Sequence, residues 1–260
     1  KFVVEETGEV QKVKMKDDHT KVSISKTDIT DGKEIEGAKL QILDQEGEVV
    51  ESWTTGEEHL IEYLPVGTYT LHEEAAVGGY IVANDVEFTV EETGEIQKVK
   101  MEDERAMGQL VIVKTDADSK AALEGVEFVL LEKETGKEVE RLKTGKDGKA
   151  VSSLLPIGTY ENGVFKEPIT YVLKETAALE GYEKTEEEWE IVFSYQNDKT
   201  PVIEVVKEIQ NKKIPETPGT VKPGPKTGDD TNWFLPLLAL GVSAGMVAGL
   251  LYYRKKQKKA

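Results

Sequence analysis

Cysteine is absent from the 260 residues, so any domain here that works outside the cell is held together without disulfides. Basic residues are in deficit: 33 Lys and Arg stand against 50 Asp and Glu, a formal charge of −17. That balance excludes the basic footprint of a nucleic-acid binder. Histidine is rare, and His19, His59 and His72 have no ligand spacing between them. They read as scattered solvent-facing side chains, and no metal or other cofactor is implied. DAD at 116–118 is too short for a calcium loop, and the acidic run at 186–188 reads as a solvated edge. Proline is sparse except in IPETPGTVKPGPK, residues 214–226. That stretch has too little to pack and reads as an extended spacer.

Long apolar runs are also missing, with one exception. Trp233 to Tyr253 carries no charge and is long enough to span a bilayer. RKKQKK at 254–259 follows at once and assigns that end to the cytoplasm. A buried core helix is the bland alternative, and the length and basic flank speak against it. Contact with a membrane is expected only through this span.

What the chain does have is repetition. FVVEETGEVQKVKMKD, starting at Phe2, returns as FTVEETGEIQKVKMED, starting at Phe88. Residues 1–18 therefore read as the closing strands of an upstream repeat, and the chain as the C-terminal portion of a longer protein. A looser repeat lies inside. SISKTD matches VIVKTD, EGAKLQIL matches EGVEFVLL, and LPVGTYTLHEEAAVGGY matches LPIGTY followed by YVLKETAALEGY. The second copy is interrupted by the hairpin-like ENGVFKEPIT, 161–170. Two units of one fold, 19–105 and 106–213, thus stand in tandem. Their short runs of Val, Ile, Leu, Tyr and Phe, divided by turn signals such as DQEG and GKDGK, predict all-β antiparallel sandwiches. AVSSLLP fits a short helix or a strand.

Side chains alternate between the faces of a strand, and three polar residues per unit fall in phase with the core. In the first unit Lys26 follows Val22 and Ile24, Glu73 follows Tyr69 and Leu71, and Asp103 follows Val99 and Met101. In the second, Lys114 follows Leu110 and Ile112, Glu175 follows Tyr171 and Leu173, and Asn211 follows Ile209. Lys207 is in phase with Ile209 and Asn211, so the last strand is expected to be buried only near its end. One reading is a buried salt bridge, which suits Lys–Glu–Asp, suits Lys–Glu–Asn less well, and gives no reason for the repetition. The other is a covalent bond. Burial lowers a lysine pKa and raises a carboxyl pKa, leaving a neutral amine nucleophile beside a protonated carboxyl. That carboxyl would polarise the side-chain carbonyl of Asp103 or Asn211 and shuttle the proton to the leaving group. From the residues alone both readings stand.

Both units resemble CnaB-type domains, the prealbumin-like (SpaA-type) modules of Gram-positive surface proteins and pilins. The resemblance rests on SKTD and VKTD, LPVGTY and LPIGTY, the E-box-like LHEEAAVGGY and LKETAALEGY, and the closing MED and IQN. It implies Ig-like sandwiches with self-formed isopeptide bonds: Lys26 to Asp103 with Glu73 as catalyst, and Lys114 to Asn211 with Glu175. Ala76-Val77 stands where that E-box commonly has a proline. The C-terminal 227–260 region resembles a sortase sorting signal. Pro225, Lys226, Thr227 and Gly228 match Leu-Pro-X-Thr-Gly, with Gly224 in place of the leucine, and cleavage is implied after Thr227. A permanent single-span anchor is the alternative.

Together these features imply an extracellular, wall-anchored stalk or minor pilin. Its partners would be a sortase and then peptidoglycan or a pilin subunit. The only chemistry implied is one intramolecular turnover, so the chain is not expected to be an enzyme. The rival is an adhesin module that grips a host matrix protein through the domains themselves. No tyrosine-proline-lysine pilin motif is present.

Overall fold

The computed structural model describes residues 3, 6–10, 12 and 18–215. The expected upstream remnant over 1–18 and the spacer over 214–226 lie for the most part outside the described residues. The sorting signal, with Thr227, Gly228 and the hydrophobic span, lies wholly outside them, as do Pro225 and Lys226. Among the described residues every regular element is a strand, and no helix is long and apolar enough to cross a membrane.

The first sandwich is built from β1 (Lys21–Asp28), β2 (Lys39–Leu43), β3 (Val49–Thr54), β4 (His59–Glu62), β5 (Gly67–Ala75), β6 (Tyr80–Ile81), β7 (Val86–Val90) and β8 (Ile96–Arg105). One sheet has the order β4-β1-β8-β6 and the other β3-β2-β5-β7. Strict alternation puts Val22, Ile24, Leu40, Ile42, Leu71 and Met101 between them, each at most 2% exposed. Each such side chain contributes about 1.5–3 kcal/mol by leaving water. The DQEG turn reverses β2 into β3 because Asp44 Oδ1 accepts the amides of Glu46 and Glu48.

The second sandwich repeats the plan with β9 (Met107–Asp116), β10 (Glu127–Glu132), β11 (Glu138–Lys143), β12 (Lys149–Val151), β13 (Leu155–Pro156), β14 (Gly158–Glu161), β15 (Val164–Pro168), β16 (Thr170–Ala177), β17 (Glu188–Val192) and β18 (Val202–Asn211). The sheet β11-β10-β16-β17 faces one in which β9 pairs with β18 and with β12 and β13. AVSSLLP is thus strand, broken in the middle. The Leu110 amide, which a continuous strand would have bonded by its backbone, donates instead to the buried Ser152 hydroxyl. ENGVFKEPIT belongs to the β14–β15 hairpin, which turns on Asn162 and Gly163, both at positive φ.

The expectation for β18 needs correction. Ile203 near its start is as buried as Ile209 near its end, and Lys207 between them is half-buried. Its ammonium sits 5.7 Å over the Trp189 ring, so its stem covers apolar surface while its charge reaches solvent.

One topological feature positions the site. The opening and closing strands of each sandwich are parallel neighbours, β1 with β8 and β9 with β18. In register, Lys26 lies opposite Met101 and Asp28 opposite Asp103. Likewise Lys114 lies opposite Ile209 and Asp116 opposite Asn211. Each lysine is therefore one same-face step from the Asp or Asn of the strand beside it.

Candidate functional site

Both clusters are sealed. Lys26, Glu73 and Asp103 are at most 2% exposed, and Lys114, Glu175 and Asn211 at most 4%. Lysine and Asp/Asn come from one sheet, and the glutamate reaches across from the facing one, on β5 or β16. All six residues singled out by phase are thus brought together as two triplets.

In the second sandwich the Lys114 Nζ lies 2.5 Å from Asn211 Oδ1 and 2.8 Å from Glu175 Oε2. Asn211 Nδ2 donates to Glu175 Oε1 at 2.7 Å. The glutamate therefore holds the amide nitrogen, where the sequence suggested the carbonyl oxygen. This arrangement links the Lys114 amine to the Asn211 amide nitrogen through one carboxylate, a short path for a proton. Burial lowers the Lys114 pKa, against the opposing pull of Glu175, and the Phe128 ring lies 5.8 Å from its nitrogen.

In the first sandwich Lys26 contacts Asp103 Oδ1 directly and lies 2.9 Å from Glu73 Oε2. The Ala83 amide donates to that same Oε2 at 2.6 Å. Glu73 Oε1 and Asp103 Oδ2 are buried with no hydrogen-bond partner among the described residues. Burial pushes the Asp103 carboxyl up to about 7; Lys26 opposes this and Glu73 adds to it.

Sequence reasoning missed a tyrosine–aspartate pair beside each triplet, with both aspartates and Tyr80 buried and Tyr182 half-buried. Tyr80 donates to Asp28 Oδ2 at 2.8 Å, and Tyr182 to Asp116 Oδ2 at 2.8 Å. The signal was present in the repeated KTD and in the tyrosine that ends each E-box. Burial works to raise the Asp28 pKa, but the Thr30 amide, Tyr80 and Arg105 outweigh it and hold the carboxyl below its ordinary value. The histidines each sit beside one carboxylate at the surface: His19 by Glu62, His59 by Glu51, His72 by Asp85. Among the described residues no group of three or more candidate ligands could hold a metal ion. Residues 186–188 are exposed.

Comparison with known proteins comes down to one domain type. The SpaA family, a prealbumin-like fold domain, matches residues 20–105 and 108–168, more than half of the chain. No curated protein matches. Among solved structures, the chain is similar to the Bacillus anthracis TIE protein at 26% identity, over 76% of this chain and 34% of that one, with a TM-score of 0.58. It thus spans about a third of that protein's length. It is also similar to a Streptococcal ancillary pilin, at 20% identity over 78% of this chain and 64% of that one, TM-score 0.33. A third similarity is to GBS52, the minor pilin of Streptococcus agalactiae, at 18% identity over 81% and 100%, TM-score 0.33.

Proposed function

Since the chain belongs to the SpaA family of prealbumin-like fold domains, we propose that it is the structural stalk of a wall-anchored bacterial surface protein or minor pilin, each sandwich stiffened by a self-formed amide. The observation that carries this reading is the sealed lysine–glutamate–Asp/Asn triplet, present twice between neighbouring first and last strands. In the second sandwich a bond forms from Lys114 Nζ to Asn211 Cγ and the Cγ–Nδ2 bond breaks. Glu175 passes an amine proton to the departing nitrogen, which leaves as ammonia. In the first, Lys26 Nζ bonds to Asp103 Cγ, one Cγ–O bond breaks, and the oxygen leaves with two protons as water. Each product is a neutral amide, which relieves the cost of a buried charge, several kcal/mol per ion.

Such bonds would tie residues 77 and 97 apart in sequence, which by loop-closure entropy stabilises each sandwich by about 4–5 kcal/mol. The mechanical consequence is larger. Tension entering β1 at Lys21 would cross to β8 at Asp103 and leave, bypassing everything between. The chain acts on no external substrate in this reading. At the C-terminus, Pro225 to Gly228 would present the sortase site from an extended spacer, and the basic tail would hold the chain until transfer to peptidoglycan or a pilin subunit. Replacing Thr227 by Ala should then leave the protein detergent-extractable, while wild type is freed only by wall-digesting enzymes. The β14–β15 hairpin, among the described residues the insertion available to grip a host protein, turns onto the first sandwich, which favours stalk over adhesin module.

Intact-mass spectrometry of the folded protein tests the chemistry. The expected mass is one water and one ammonia below that of the sequence, and the full calculated mass overturns the covalent reading.

A further inference from the structure

Four consecutive residues of the first sandwich, Gly79 to Val82, are each held by the second. Tyr160, on the β14–β15 hairpin, donates its hydroxyl to the Gly79 carbonyl at 2.8 Å. Its ring meets that of Tyr80 edge-on at 5.2 Å and lies under the Arg105 guanidinium at 4.2 Å. Tyr195 donates to the Tyr80 carbonyl at 2.9 Å, Ile81 packs against the second core, and the Val82 amide donates to the Asp198 carbonyl at 2.9 Å. The approach is close. A Cβ on Gly79 would crowd Phe165 and the Tyr160 hydroxyl, and one on Gly163 would overlap the Glu34 carbonyl.

The next residue is Ala83, whose amide donates to Glu73 Oε2 at 2.6 Å. The clamp therefore ends on the carboxylate of the first triplet. In the second sandwich Glu175 is oriented by Lys114 and Asn211 themselves, and the segment that ends its E-box is tied within its own sandwich, Ile214 to Gly181 and Glu183 to Lys212.

We propose that the second sandwich completes the reactive site of the first: Tyr160, Tyr195 and the Asp198 carbonyl are positioning groups that set Ala83 on Glu73, so that the Lys26–Asp103 bond closes only after the second sandwich has folded and docked. This rests on the amide-forming reading above. Its consequence is that water loss waits on the folding and docking of the second sandwich, whether or not that sandwich has lost its ammonia. It also couples the stiffness of the joint to the covalent state of the first sandwich, because a chain whose modules are undocked stays uncrosslinked there.

The test follows both mass losses in time for the full chain made by cell-free synthesis, as wild type and with Tyr160→Ala and Tyr195→Phe combined. Ammonia loss reports that the second sandwich has folded and should keep its wild-type rate. Water loss should slow by on the order of 10–100-fold in the variant relative to wild type, the size of effect a misplaced catalytic group produces. Tyr160→Phe with Tyr195 intact should recover most of the rate. Amide exchange at Ala83, read in an Asp103→Ala background, should quicken when the two tyrosines are changed. Water loss at the wild-type rate in the double variant overturns the proposal, as does slowed closure with Ala83 still protected. Absence of water loss from wild type at every time would instead overturn the amide reading for the first sandwich, a separate result.

Discussion

In the second sandwich the Glu175 carboxylate is bracketed by its partners, Lys114 on one oxygen and Asn211 on the other. In the first, Glu73 shares one oxygen between Lys26 and the Ala83 amide, while its other oxygen and Asp103 Oδ2 are left without a donor. The cause is the change from amide to acid. Asn211 brings two fixed protons on its nitrogen, whereas Asp103 brings one only when protonated. A buried acceptor without a donor costs about 1–3 kcal/mol, and a single proton shared between the two carboxyls would remove that cost. Burial raises the Asp103 pKa, against the pull of Lys26, and the neighbouring Glu73 carboxylate raises it further. Two clusters of equal geometry thus hold different numbers of exchangeable protons, and the difference is chemical before it is structural.

The strongest way to separate them is to remove one glutamate at a time. Glu175→Ala should abolish the ammonia loss and leave the water loss, and Glu73→Ala should do the reverse, with the affected step slowed by about 10²–10⁴-fold. Intact mass reads both. Loss of both bonds from either substitution would mean that the clusters do not act as independent sites.

Stability comes next. Lys114→Met keeps the volume of the side chain but cannot crosslink, and should lower the denaturant stability of the second sandwich by about 4–5 kcal/mol. In that variant Glu175 keeps the Asn211 hydrogen bond on one oxygen but loses its donor on the other, which adds about 1–3 kcal/mol to the loss. A loss below about 1 kcal/mol would show that no covalent tie was there to remove.

The triplets were legible in the sequence because strand parity is local: Val22, Ile24 and Lys26 declare one face whatever surrounds them. The sandwich fold was legible for the same reason, in two copies. The docking of Tyr160 and Tyr195 was not. Their contacts bridge residues about 80 or more apart, and an aromatic with a polar tip suits a core, a surface or a joint equally well. Nor does parity reveal which atom of Asn211 the glutamate holds, since that depends on how strands from two sheets meet across the core. Ser152 shows a third limit, because a strand broken by one side-chain hydrogen bond leaves the same hydrophobic pattern as a short helix.

Acidity offers a finer comparison. Closure of the first sandwich needs the proton on its carboxyl pair, and Asp103 is a carboxyl whose pKa is raised, to about 7. The protonated population is full below that value and falls as pH rises through it, so water loss should slow by about tenfold per pH unit above about 7. Asn211 carries an amide that does not titrate in place of the Asp103 carboxyl, and ammonia loss should not show the decline that Asp103 imposes. Before closure, the folded first sandwich binds a proton that unfolded Asp103 releases near its ordinary value of about 4. Its stability should therefore fall between about pH 4 and 7, with the native state binding more protons than the unfolded one. Asp103→Asn should exchange water for ammonia and flatten the profile, and Asn211→Asp should import the dependence. Profiles that do not move with the substitutions would place the titrating group elsewhere.

The smallest difference lies on the closing strands, four residues before Asp103 and Asn211. In the first sandwich Val99 occupies that position and packs, partly buried, against the core. In the second, Lys207 stands there and covers Trp189, which is 8% exposed. A long stem with a charged tip can lie across the indole ring and still reach water. A lysine over an indole face near the surface contributes about 0.5–1 kcal/mol. Lys207→Ser should lose that amount, while Lys207→Val, the first sandwich's own solution, should lose less because it restores apolar contact without the charge. Denaturant midpoints of the two variants, compared in the Lys114→Met background so that the crosslink does not mask them, decide the matter. Equal losses would mean that the cation and not the stem protects Trp189.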